Sequence, residues 1–80
     1  MSKLRIIDEA VKLASNFFES IHVCETRESI EERATEWYNK TKINDERTIA
    51  ALAVFGSYNF EIANNEKLIE NIKECFFPSV

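Results

Sequence analysis

Eighty residues bound this chain to one small domain, and at that length only about 60–65 % of the unfolded surface is hidden on folding. The net charge of −4 is spread evenly, six Lys/Arg against eight Asp/Glu in residues 1–40 and four against six in residues 41–80. Neither half carries the basic footprint that nucleic-acid binding needs, and the acids are too sparse for a nucleic-acid mimic.

The composition, 45 % hydrophobic and 30 % charged, is that of an ordinary globular domain. One Gly and one Pro leave little turn chemistry for hairpins and favour helices with brief connections. Asp8 and Glu9 interrupt the N-terminal segment before any apolar run develops, which argues against a signal or transit peptide. No apolar run reaches the roughly 20 residues of a membrane span. The expected location is therefore cytoplasmic, with Cys24 and Cys75 reduced and behaving as small buried hydrophobes.

The first helix is expected over residues 3–21. Leu4, Ile7, Val11, Ala14, Phe18 and Ile21 alternate spacings of three and four, and Ile6, Ala10, Leu13 and Phe17 widen the stripe to half the circumference. So wide an arc implies two neighbouring helices. Residues 22–25 form a connection, and Thr26 is a good N-cap for a second helix over 27–39. That helix carries a narrow stripe of Ile30, Ala34, Trp37 and Tyr38, which places it at the periphery.

Asn44 or Asp45 caps a third helix expected over 45–63. From Thr48 to Phe60 this segment has no charged residue. Ile49, Ala53, Gly56 and Phe60 share one face; Ala51, Phe55, Tyr58 and Ile62 form another that should meet the first helix. A thin stripe through Ala50, Ser57 and Glu61 is left for solvent. Gly56 costs about 1 kcal/mol relative to Ala inside a helix, which a close approach by a neighbour would offset. Asn64 and Asn65 break the pattern. A fourth helix over 66–76 then places Leu68, Ile69, Ile72, Cys75 and Phe76 on its apolar face. Pro78 disfavours α geometry at Phe77 and ends it, leaving a tail over 77–80. These four helices give an all-α, four-helix bundle-like domain with the hydrophobic third helix at its centre.

Chemistry is sparse. The single His22 and the two cysteines lack the spacing of a zinc site or a nucleophile–base pair, so no catalytic, metal-ligating or cofactor-binding residue is assigned. A helix-turn-helix from the second and third helices fails because Asp45-Glu46-Arg47 would open the recognition helix and turn apolar at once. The acids of the second helix, Glu28, Glu31 and Glu32, read first as a solvated face beside Arg27 and Arg33. They also resemble half of the E-x-x-E metal motif of MazG-type helical pyrophosphatases. That resemblance implies a Mg²⁺-dependent nucleotide pyrophosphatase with Glu61 in the second half. Asn64 stands where that family's ligand Asp belongs.

By elimination the expectation is a small protein-binding regulator or inhibitor that docks on a partner protein. Its size and its Asn-, Lys-, Ile- and Glu-leaning composition suit a bacteriophage or mobile-element accessory protein. The alternatives are the pyrophosphatase and a structural subunit of a larger assembly. The candidate contact residues, with a partner or a sister subunit, are Trp37, Tyr38, Ala53, Gly56, Phe60, Phe77 and Val80. A homodimer is expected, because the narrow stripe of the second helix leaves part of the third or the first helix for a symmetric partner.

Overall fold

The computed structural model describes residues 3–56 and 64–78. Within them the chain is all-α: α1 (Lys3–Ser20), α2 (Arg27–Thr41), α3 (Glu46–Ala51) running directly into a π-helical turn (Leu52–Gly56), and α4 (Glu66–Phe76). Ser2, Tyr58, Phe60, Glu61, Ile62 and Val80 lie outside the described residues. No described helix is long and apolar enough to cross a membrane.

The starts of α2, α3 and α4 are each closed by a side chain of the expected type. Thr26 accepts from the Ser29 amide at 3.1 Å, Asp45 from the Arg47 amide at 3.1 Å, and Asn65 from the Leu68 amide at 3.0 Å. The ends are less ordinary. After α1, His22 adopts φ 58° while the Val23 amide reaches the Phe18 carbonyl at 2.9 Å and the His22 amide the Glu19 carbonyl at 3.1 Å, a Schellman turn. After α2, Lys42 adopts φ 57° and donates to the Tyr38 carbonyl at 2.8 Å. Both left-handed positions would favour glycine, but the chain's one glycine is used elsewhere. His22→Gly and Lys42→Gly are therefore each expected to raise unfolding free energy by about 1 kcal/mol in urea titrations.

The core has α3 as its axis. Every residue from Thr48 to Val54 is buried, Ala50 included. The solvated stripe expected through Ala50 is corrected on this point. α1, α2 and α4 all pack on α3, and its alanines let their backbones approach closely. Ile6, Ala10, Val11 and Ala14 of α1 and Ile30 and Ala34 of α2 complete the core. Leu4 is 79 % exposed and Ile21 is also exposed, although both continue the seam of α1. At about 1.5 Å per residue the 18-residue α1 is about 27 Å long, as long as the molecule is wide, so its ends overhang their neighbours.

Gly56 answers the expectation of a close approach. A Cβ there would lie 3.2 Å from Cζ2 of Trp37 and 3.2 Å from Cδ2 of Leu52. The glycine therefore seats the edge of the α2 indole, a contact made inside the chain.

Candidate functional site

At one end of the bundle the aromatic residues gather around Phe17. Its ring centroid lies 5.4 Å from Phe55, 5.2 Å from Phe76, 5.8 Å from Phe77 and 6.0 Å from Phe18. The contacts with Phe18, Phe55 and Phe76 are edge-to-face, the arrangement that ring quadrupoles prefer. Beside this cluster runs an open groove of about 420 Å³ between α1 and the end of α4. Leu13, Phe17, Ile21, Phe76 and Phe77 supply its apolar lining, with Asn16, Ser20 and Cys75 as the polar members. No charged residue is among these, and the Ser20 hydroxyl donates to the Phe17 carbonyl at 2.6 Å, within its own helix. The groove offers contact area more than directional chemistry.

The two rings at the end of α4 divide unlike the pattern in the sequence. Phe76, assigned to the buried face, is 50 % exposed, and Phe77 is 3 % exposed. The reason is local. Phe77 leaves helical geometry at φ −132°, ψ 56°, outside the α region that the following proline disfavours, and its ring packs against Phe17. The buried residues of α4 are Ile69, Ile72 and Lys73. Cys75 lies off that face and is exposed, while Phe76, in line with Ile69 and Ile72 at the helix end, rests one side on Phe17 and Phe55 and leaves half of its ring in water. Cys24 is exposed in the connection after α1. The expectation of buried thiols is thus corrected at both positions.

The burial of Lys73, at 6 % exposure, went unread in the sequence because a lysine on a helix ordinarily faces water. Its ammonium lies 2.6 Å from Oδ2 of Asp45 and 3.1 Å from Oε1 of Glu70. Thr48 donates to the same Asp45 oxygen at 2.8 Å. Nearby, Nε of Arg47 donates to the Phe77 carbonyl. Burial works against the charge of Asp45, but hydrogen bonds from Lys73, Thr48 and the Arg47 amide outweigh it and hold its pKa below the ordinary value. Burial likewise works against the Lys73 ammonium, and its bonds to Asp45 and Glu70 raise its pKa nonetheless. An amine held protonated has no free pair for nucleophilic work. A second recess of about 300 Å³ lies over this network, lined by Ile43, Thr48, Glu66 and Ile69 together with the charged residues.

The other candidates are dispersed. Trp37 is half-buried against Gly56, with the Lys40 ammonium 5.1 Å from its ring. Tyr38 is half-buried and donates to Asn44 at 2.9 Å. Ala53 and Gly56 are buried within the chain, while Phe60 and Val80 lie outside the described residues. Glu28, Glu31 and Glu32 are exposed on α2, and Glu61 is not among the described residues. Among the described residues no three His, Cys, Asp or Glu side chains are grouped to hold a metal ion. The structure brings together Phe77 with Phe76, Phe17 and Ile21, residues the sequence had assigned to the core. The one signal that could have found them was Pro78, whose effect on Phe77 reverses the two rings. The chain matches no known family model, no curated protein and no solved structure.

Proposed function

We propose that this protein is a small regulator or inhibitor that works by docking on a partner protein, seating an apolar side chain of that partner in the Phe17–Phe76–Phe77 groove. The observation that carries this reading is Phe76: a phenylalanine half in water at the mouth of an uncharged, aromatic-floored groove. Aromatic side chains beside a recess are what partner surfaces use as anchors, because they bring large contact area at small entropic cost. A cytoplasmic setting and a bacteriophage or mobile-element origin fit the chain's size and composition.

The ground for a homodimer shifts. Over Thr48–Val54 the third helix is covered within a single chain, and among the described residues Phe76 and Ile21 offer exposed apolar surface beside one groove for a second copy. One comparison tests both occupants. Phe76→Glu should keep the helical circular-dichroism spectrum, since the ring is half-exposed, and should lose a stoichiometric companion that the wild type retains on affinity capture from its native cells. Sedimentation of the purified wild type shows whether that companion is a second copy. Equal capture by both proteins would end the groove reading.

A further inference from the structure

Two recesses lie on opposite flanks of α4, the aromatic groove on one and the polar recess over Lys73 on the other. We infer that the wall of the groove is held in position from the polar side, by a two-point clamp of Asp45 on Lys73 and Arg47 on the Phe77 carbonyl. Both grips come from the first turn of α3 and both close on the last turn of α4 and the residue after it. Lys73 is separated from Cys75, Phe76 and Phe77 by less than two turns of helix. A rigid helix transmits any rotation at Lys73 to Cys75 and Phe76, and Arg47 holds the non-helical Phe77 directly. α3 is the principal described neighbour of α4, and the ring contacts of Phe76 and Phe77 with Phe17 are the wall's other support, so opening the clamp loosens this wall while α1 and α2 stay packed on α3. Asp45, Arg47 and Lys73 are thus positioning residues for the groove, and the groove widens when the clamp opens. The functional consequence rests on reading the groove as a contact surface; the mechanical claim does not.

The test uses Cys75, a native groove residue, carrying a nitroxide spin label in a Cys24→Ser background. Asp45→Asn keeps a good helix cap while removing the charge, and Arg47→Gln removes the donor to Phe77. Each single variant retains the other grip. In the unaltered clamp the label spectrum is expected to be dominated by an immobilised component. Each variant should convert part of it to a mobile component, and the double variant most of it. Ile30→Val, a mild core change in α2, should leave the spectrum as it was. Immobilisation that survives both clamp variants would overturn the inference, as would mobilisation by Ile30→Val to the same extent. Mobilisation without Phe76-dependent capture would uphold the clamp and sink the docking reading, while the reverse result would do the opposite.

Discussion

Phe17→Ala is expected to cost up to about 3–5 kcal/mol, the range for removing a packed aromatic ring, Phe17 being partly buried, and to lower the thermal midpoint sharply. The total available is small. At roughly 0.05–0.15 kcal/mol per residue, a chain this short holds about 4–12 kcal/mol. Phe17 is the hub on which Phe18, Phe55, Phe76 and Phe77 all rest, so the void left behind is shared among four rings that cannot all collapse into it. Phe17→Leu, which refills most of the volume, should recover more than half of the loss. Thermal unfolding followed by circular dichroism checks the pair. A loss below about 1 kcal/mol for Phe17→Ala would mean that the cluster contributes little.

The second large effect is an asymmetry across one ion pair. Asp45→Ala removes the α3 cap, the Thr48 bond and the partner of a buried ammonium at once. The cap alone is worth about 1 kcal/mol. Breaking a buried pair costs about 3–5 kcal/mol, reduced here because Asp45 is 36 % exposed and Glu70 still accepts from Lys73. A loss of about 2–4 kcal/mol is expected in all. Lys73→Met, by contrast, replaces the buried cation with an apolar chain of similar length and should cost less than about 1 kcal/mol. Denaturant titration of the two variants gives the comparison, and equal losses would show that the Lys73 charge itself is required.

The pH dependence has a fixed sign. Asp45 has a lowered pKa in the folded state, so its contribution is present above about pH 4, the unfolded carboxylate value. It is lost as the pH falls through the lower folded value. Asp45→Asn should flatten that acid-side decline. The raised pKa of Lys73 acts at the other end: its contribution is complete below the unfolded lysine value and is lost only as the pH rises through the folded one.

The helices were legible because their signals are local. The caps Thr26, Asp45 and Asn65 and the stripes of α1 and α2 follow from residue type and a 3.6-residue period, while of the α4 stripe only Ile69 and Ile72 are buried. Two facts were beyond periodicity. The first is the burial of α3 at Ala50, since an alanine between two apolar faces reads as solvated until the number of packed neighbours is known. The second is Lys73, whose burial depends on an aspartate 28 positions earlier. Its place on the buried face leaves Cys75 on the exposed side of α4, while Phe76 at the helix end is only half covered, beside the groove. A groove bordered by a long-range ion pair and by the non-helical Phe77 has no short sequence signature.

The central claim is that Phe76 faces a partner while Phe77 faces the core. Photo-crosslinking tests it most directly, with p-benzoylphenylalanine placed at position 76 or 77 of the protein expressed in its native cells. The account predicts a discrete intermolecular adduct from position 76, with another protein or a second copy, and only cross-links within the chain from position 77. Intermolecular adducts from position 77, or none from position 76, would contradict it.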